Sequence, residues 1–143
     1  MRILLAIDNS KYSEAATEAI ASLMRAQDAR VFVLHVMEAQ YVDTEKHQNQ
    51  VKLAEEWVQH AAGILRAAGF QADANVAHLG DNIIQDVILS FARKWRPNLI
   101  VLGSHGRTGL KRLLIGSVSD AVSRHASCSV LIVRMPADSC EID

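Results

Sequence analysis

The chain has 143 residues, half of them apolar, and its 15 basic and 16 acidic residues give a formal net charge of −1. This length predicts a single domain, residues 1–143, with a core that needs no disulfide or metal, and the balanced charge excludes a global attraction to nucleic acid or to an anionic membrane. Because there is neither a signal-peptide pattern nor an apolar run of about 18 residues, we expect a cytoplasmic protein without membrane contact.

The first half of the chain alternates strand patterns with helix patterns. A continuous apolar run at residues 3–7 predicts a strand, and helical spacing of apolar residues over 15–24 predicts the helix that follows it. Residues 31–37 are rich in β-branched and aromatic side chains, which favours a second buried strand. A longer helical pattern covers residues 51–68, and Gly69 stands where a glycine commonly ends a helix.

The second half continues the alternation. Residues 71–77 alternate polar and small apolar side chains, which predicts a half-solvated strand at a sheet edge. A third helix is predicted over 84–95 and ends before Pro97, since proline disfavours helical geometry in the residue that precedes it. Residues 99–102 and 130–133 are short apolar runs that predict the fourth and fifth strands, on either side of a glycine-rich segment and a short helix.

The end of the chain carries the two cysteines, Cys128 and Cys140. They form neither a CxxC pair nor a ligand-spaced set with histidines, which argues against a zinc or redox site and is typical of a reducing compartment. Cys128 precedes the fifth strand and is interpreted as a small apolar residue. The acidic tail 137–143 is predicted to be mobile.

The order of these elements predicts the fold class. Strands that alternate with helices imply right-handed βαβ crossovers, so we expect an α/β fold with a doubly wound, open, five-stranded parallel sheet of order 3-2-1-4-5, Rossmann-like, with helices on both faces. Ligands bind such sheets beyond the carboxyl ends of the strands, where the winding direction reverses. Asp8 and Gly103 end the first and fourth strands and are therefore predicted to flank the ligand crevice.

The segment after the fourth strand, GSHGRTGLKRLLIGSVSDAV, has a composition suited to binding an anion. Its glycines allow close backbone approach and positive φ, and a helix N-terminus adds unpaired N–H donors and a positive dipole end. The run Ser117-Val118-Ser119-Asp120 fits the capping pattern Ser/Thr-x-x-Asp/Glu and places that N-terminus at Ser117. The glycines concerned are Gly103, Gly106, Gly109 and Gly116.

Two interpretations of this segment remain open on the residues alone. Arg107, Lys111 and Arg112 can add contacts to a phosphate, but nothing in the sequence fixes which of them points inward. The alternative is that the glycines only turn the chain and the basic residues form a solvated face. Neither GxxxxGK[ST] nor GxGxxG after the first strand is present, so two common phosphate-binding motifs are excluded.

The spacing Gly103-x2-Gly106-x9-Gly116-Ser117, after a strand and before a short helix, resembles the ATP-binding signature of the universal stress protein family. The resemblance runs from residues 3–10 through Leu34-His35-Val36 to residues 130–134. It implies an adenine nucleotide α-hydrolase-like variant of the Rossmann-like fold. It also implies ATP as the ligand, with Mg²⁺ or Mn²⁺ on the phosphates.

The resemblance implies specific roles within a nucleotide site. Asp8 corresponds to the acidic residue that holds adenosine. The backbone of Val36 corresponds to the group that meets adenine, and Gly103 corresponds to the residue beside the ribose. The loop and helix start would hold the phosphates, with Arg107 at a basic position. The implied binding residues are Ala6, Ile7, Asp8, Val36, Leu102, Gly103, Gly106, Arg107, Gly116, Ser117, Val118 and Ser119.

Some positions depart from the common family pattern. Asn9 stands where glycine is frequent, which could alter how closely the turn after the first strand approaches a nucleotide. Serines flank Cys128 where prolines are frequent, a change that concerns the entry to the fifth strand.

Several other residues have ordinary structural interpretations. His35 is expected to be a core or near-site histidine with a hydrogen-bond partner, and Trp57 and Trp95 are expected in the core. His105 lies in the glycine loop and could touch phosphates, but no base with an orienting partner is visible, so no catalytic residue is predicted.

The fifth strand raises the question of assembly. At the far edge of the sheet its four apolar residues would be unpaired, and pairing with the same strand of a second copy would cover them. We therefore expect a homodimer through residues 130–134, as the family resemblance also implies.

Three functions remain as hypotheses. The first is an ATP-binding, nucleotide-responsive module or switch in a stress response. The second is an enzyme that hydrolyses ATP slowly or transfers a phosphoryl group, and the third is a partner-binding dimer whose loop holds no nucleotide.

Overall fold

The computed structural model describes residues 1–38, 44–106 and 115–135 of the chain. Within these ranges five strands alternate with four helices. The elements are β1 Arg2–Ile7, α1 Lys11–Leu23, β2 Arg30–Met37, α2 Thr44–Ala67, β3 Gln71–His78, α3 Ile84–Trp95, β4 Leu99–Gly103, α4 Ser117–His125 and β5 Ser129–Val133. The predicted mobile tail, Cys140 and residues 107–114 lie outside the described residues.

The five strands form one parallel sheet in the order β3-β2-β1-β4-β5, so the predicted topology is confirmed. The chain winds outward from β1 through β2 to β3, then crosses to β4 and β5 on the other side. The reversal of direction therefore falls between β1 and β4. The carboxyl ends of those two strands flank the place where such sheets bind ligands.

Successive side chains of β1 point to opposite faces of the sheet and build two cores. Ile3 and Leu5 face α1 and α2 in the first core, whereas Leu4 faces α3 and α4 in the second. These three side chains are fully buried, and burial of each stabilises the fold by about 1.5 to 3 kcal/mol. The helices thus cover both faces, which explains the continuous apolar run in the sequence of β1.

Two of the helices end at residues that the sequence marks. A glycine follows the end of α2, and α3 ends at the residue that precedes a proline. At the end of α2, Gly69 has φ +96 and its N–H donates to the carbonyl of Arg66, while the N–H of Phe70 donates to the carbonyl of Leu65. This is the Schellman arrangement, in which the left-handed residue satisfies the last carbonyl groups of a helix. After α3, Arg96 adopts φ 55 just before Pro97, so the helix stops where the sequence predicts.

The two edges of the sheet differ. β3 is half-solvated along its length, as its alternating sequence predicts. β5 lies at the opposite edge, and its four apolar residues are only partly buried in the single chain. Just before β5, burial raises the pKa of the Cys128 thiol, which keeps it protonated at neutral pH and agrees with its interpretation as a small apolar residue.

The two tryptophans lie on the two cores as partly buried residues. Trp57 packs against the first core and Trp95 against the second, where its ring lies 5.7 Å from that of Phe32. The sequence therefore placed both rings on the correct helix faces. Trp57 has an additional role because it also lines a cleft.

Candidate functional site

A cleft of about 760 Å³ lies at the carboxyl ends of β1, β2 and β4, beside the first turn of α4. It has the size of a small-molecule site and the position that a doubly wound sheet favours. Eleven of the twelve residues singled out in the sequence line it, and the twelfth, Arg107, lies outside the described residues. The lining residues among them are Ala6, Ile7, Asp8, Val36, Leu102, Gly103, Gly106, Gly116, Ser117, Val118 and Ser119.

The turn from β1 to α1 fixes the carboxylate of Asp8. Its Oδ1 accepts hydrogen bonds from the N–H of Ser10 at 3.1 Å and from the hydroxyl of Ser13 at 2.7 Å. The Ser13 hydroxyl in turn accepts from the N–H of Asp8 at 2.9 Å, and the Ser10 hydroxyl caps α1. Between them, Asn9 adopts φ 62, a left-handed conformation that asparagine tolerates better than most residues and that explains why glycine also suits this position.

Gly103 ends β4 against the first turn of α1. A Cβ at Gly103 would lie 2.6 Å from Cβ of Tyr12 and 2.8 Å from its backbone carbonyl atoms. There is no space for a side chain there, because the backbone of α1 occupies it. Packing between α1 and β4 is therefore sufficient reason for glycine at this position, apart from any ligand.

Gly106 and Gly116 bring the glycine loop close to its neighbours. A Cβ at Gly106 would lie 3.0 Å from Oδ2 of Asp8, and one at Gly116 would lie 3.2 Å from Cα of His105. Neither glycine has a positive φ, and nor does Gly103, so the described cleft glycines do not use the positive φ that glycine allows. Their common property is close approach of backbone to neighbouring groups, which requires the absence of a side chain rather than a special φ.

The first turn of α4 presents three backbone donors to the cleft. The N–H groups of Ser117, Val118 and Ser119 make no hydrogen bond with any described residue, because the first intrahelical bond runs from Asp120 to the carbonyl of Gly116. These are the donors that every helix leaves unpaired at its N-terminus. The helix dipole places partial positive charge at the same point, so the turn can hold an anion.

The cap of α4 differs from the one that the sequence pattern suggested. The helix begins at Ser117 as predicted, but its N-cap is Gly116, and no side chain caps it. The hydroxyl of Ser119 instead donates to the carbonyl of Gly103 at 2.5 Å, and Ser119 is buried. The hydroxyl of Ser119 therefore fastens α4 to the end of β4, which leaves its backbone N–H for a ligand.

His105 lies in the loop between Gly103 and Gly106 and lines the cleft. Its Nδ1 is 3.1 Å from the hydroxyl of Ser104, and its ring lies 5.1 Å from that of Tyr12. Ser104 is almost fully buried, and its carbonyl accepts from the N–H of Gly116 at 2.6 Å. These contacts join the described part of the loop to α1 and to the start of α4, and Gly106 of the loop lies beside Asp8.

The sequence analysis missed one wall of the cleft. It is formed by one face of α2 together with residues of α3, and these positions carry the apolar helical periodicity that also marks a core face. Their spacing of three or four residues is the signal that they share a face, but it does not distinguish a core from a cleft. The residues are Gln50, Leu53, Ala54 and Trp57 of α2 and Ile84 and Ile88 of α3.

The described part of the chain contains no group of three or more His, Cys, Asp or Glu side chains placed to hold a metal ion. The helices within the described ranges also include none that is long and apolar enough to cross a membrane.

Comparison with known proteins identifies one family. Residues 1–134 match the family model described as "Universal stress protein family". The universal stress protein YxiE of Bacillus subtilis is 32% identical over 145 residues, which cover 93% of this chain and 98% of that protein.

Solved structures share the fold over nearly the whole chain. The structure of hypothetical protein MJ0577 has a TM-score of 0.80 and 26% identity and covers 95% of this chain and 96% of that one. A family protein from Arabidopsis thaliana with AMP bound has a TM-score of 0.72 and 20% identity and covers 100% and 97%. The Archaeoglobus fulgidus universal stress protein in complex with dAMP has a TM-score of 0.71 and 22% identity and covers 93% and 97%.

Proposed function

The chain belongs to the universal stress protein family, and on this basis we propose that it binds ATP in the cleft and acts in the cytoplasm as a nucleotide-responsive module of a stress response. The observation that carries the proposal is a set of three backbone N–H donors at the start of α4 that make no hydrogen bond with any described residue. They face the same cleft as the ends of β1 and β2. Relatives of the same fold bind AMP and dAMP, which supports an adenine nucleotide as the ligand class.

The phosphate end of the nucleotide lies at α4 in this proposal. The N–H groups of Ser117, Val118 and Ser119 donate to phosphate oxygens, and the helix dipole adds to their attraction for negative charge. Gly106 and Gly116 allow the phosphates to approach the loop backbone. Hydrogen bonds to charged groups contribute about 1.5 to 3 kcal/mol each, so the phosphates supply much of the affinity.

The adenosine end of the nucleotide lies on the β2 side of β1, away from α4. Asp8 is available there through Oδ2, since its Oδ1 is engaged by the turn that begins α1. The backbone of Val36 at the end of β2 meets the base, and Gly103 lies beside the ribose. Mg²⁺ or Mn²⁺ accompanies the phosphates, with oxygen ligands from the nucleotide itself, because the described residues offer no preformed metal cluster.

Calorimetric titration of the nucleotide-free protein tests the proposal. We expect saturable binding of ATP with Mg²⁺, and affinity at least about tenfold higher than for adenosine, since adenosine lacks the groups that α4 would hold. AMP should fall between the two. Equal affinity for ATP and adenosine would show that the phosphates do not contact the start of α4. Failure of the folded protein to bind ATP would exclude the proposed function itself.

A homodimer through residues 130–134 forms the second part of the proposal. The partly buried edge strand β5 supports it, because an unpaired apolar edge is normally covered. The carbonyl of Val133 accepts from Ser104 and so points toward β4. Since backbone groups alternate along a strand, those of Ile132 and Val130 point outward and are available to a second copy.

Analytical ultracentrifugation tests this dimer. We expect the wild type to sediment as a dimer and Val130→Lys to sediment as a monomer, because lysine on an edge strand opposes strand pairing. Ser129→Lys is the matched control, since Ser129 is exposed and lies just outside the proposed interface, residues 130–134, and it should remain dimeric. A monomeric wild type at micromolar concentration would contradict this part of the proposal.

A further inference from the structure

His35 occupies a position in the cleft to which no role has yet been given. It lies in β2 directly before Val36 and is the register partner of Ile7 in β1. Its side chain is 7% exposed, and the residue lines the cleft. Because buried polar atoms are normally hydrogen-bonded, a partner must be identified for each of the two ring nitrogen atoms of His35.

The hydrogen bond of His35 to β1 fixes which nitrogen carries the proton. Nδ1 lies 2.8 Å from the carbonyl oxygen of Ile7, and a carbonyl oxygen only accepts, so Nδ1 is the donor. In a neutral imidazole the second nitrogen is then an acceptor. The backbone of β1 thus sets Nε2 of His35 as a hydrogen-bond acceptor.

Nε2 of His35 is open toward the cleft. It makes no hydrogen bond with any described residue, and it is not among the polar atoms of the described residues that are both fully buried and unpartnered. The edge contact with Trp57, with ring centroids 5.4 Å apart and planes at 83°, fixes the orientation of the imidazole. The site therefore has an oriented acceptor beside an aromatic wall.

The sheet order places His35 at the base end of a bound nucleotide. β2 and β4 lie on opposite sides of β1, and Ser119 fastens the start of α4 to the end of β4. Two strand spacings amount to about 10 Å. This separation matches the distance between the phosphate and the base of one nucleotide. In the proposed nucleotide site the acceptor therefore lies at the base end, away from the α4 donors.

We propose that Nε2 of His35 accepts a hydrogen bond from the exocyclic 6-amino group of adenine and thereby selects adenine over bases that lack an amino group at this position. The inference rests on the proposed nucleotide site and names the group that reads the base. A base without the amino group leaves the acceptor desolvated and unpaired, which is the situation that discriminates most strongly against a ligand.

The first test compares two ligands on the unmodified protein. ATP and purine riboside 5′-triphosphate differ only in the 6-amino group, and each is titrated with Mg²⁺ at pH 8. We expect ATP to bind about tenfold to a hundredfold more tightly. This comparison needs no variant, so it does not depend on whether a substituted chain folds.

The second test uses His35→Asn, whose side-chain N–H₂ can still donate to the carbonyl of Ile7 but which has no group at the position of Nε2. We expect it to bind the two ligands with nearly equal affinity, while its binding of the analogue matches that of the wild type. His60→Asn is the control, because His60 is exposed on α2 outside the cleft residues, and it should keep the full preference for ATP. Long-range ¹H–¹⁵N spectra of the histidine rings should show the proton of His35 on Nδ1.

The outcomes separate the two proposals. Equal binding of ATP and the analogue by the wild type would overturn the role of His35 and leave ATP binding in place. A preference that persists undiminished in His35→Asn would also overturn it, since another group would then read the amino group. Failure of both ligands to bind would overturn the proposed function together with this inference.

Discussion

Replacement of Gly103 by alanine is expected to destabilise the protein by about 3 kcal/mol. The added Cβ would lie 2.6 to 2.8 Å from Cβ and backbone atoms of Tyr12. Tyr12 belongs to the first turn of α1, so the clash cannot be relieved by rotation of a flexible side chain. Either α1 or the end of β4 must move, and overpacking of this kind costs about 1 to 3 kcal/mol or more.

Chemical denaturation of the nucleotide-free protein measures this loss. Gly63→Ala is the matched control, because Gly63 lies inside α2 and a Cβ there meets nothing within 4 Å. Alanine at position 63 should stabilise the protein by about 0.5 to 1 kcal/mol, as expected for glycine replacement in a helix interior. If Gly103→Ala were as stable as the wild type, the close packing of α1 on β4 would not explain this glycine.

The second large effect concerns the start of α4. Ser117→Pro is expected to weaken ATP binding by about tenfold to a hundredfold, because proline removes one of the three N–H donors that have no partner among the described residues. Proline is well tolerated at the first position of a helix. The residue before it, Gly116, has φ −71 and ψ 161, an extended conformation compatible with a following proline.

Calorimetric titration with ATP and Mg²⁺ tests Ser117→Pro beside Ser117→Ala, which keeps the N–H and removes only the hydroxyl. We expect Ser117→Ala to stay close to the wild type and both variants to retain the circular dichroism of the folded protein. Unchanged affinity in the proline variant would show that this N–H does not meet a phosphate. This pair is a sharper probe than a bulky residue at Gly116, whose Cβ would already lie 3.2 Å from the backbone of His105.

The fold was largely predictable because its signals are local. Apolar runs bounded by polar turns gave the strands, and the alternation with helices restricted the connections to right-handed crossovers. The half-polar strand β3 indicated one sheet edge, and Gly69 and Pro97 indicated where helices stop.

The cleft was predictable in part, for a related reason. Strand ends and helix N-termini follow directly in the sequence from recognisable elements, which is why Asp8 and Ser117 were predicted, whereas Val36 was implied by the family resemblance. All three line the cleft. The α2 wall was not found, because an apolar helix face has the same periodicity whether it meets a core or a cleft. Trp57 shows the ambiguity, since it packs on the first core and also lines the cleft.

The sequence by itself determined the order of strands and helices, the parallel topology and the approximate place of an anion site, because periodicity, turn residues and the handedness of crossovers act locally. Only the tertiary structure decided what the individual groups do. The hydroxyl of Ser119 bonds to Gly103 rather than serving the helix start, and Gly103 is required by the backbone of Tyr12. The carbonyl of Ile7, on the neighbouring strand, accepts a hydrogen bond from Nδ1 of His35 and therefore requires a proton on that nitrogen. Each of these depends on contacts between residues distant in the chain, which no local pattern encodes.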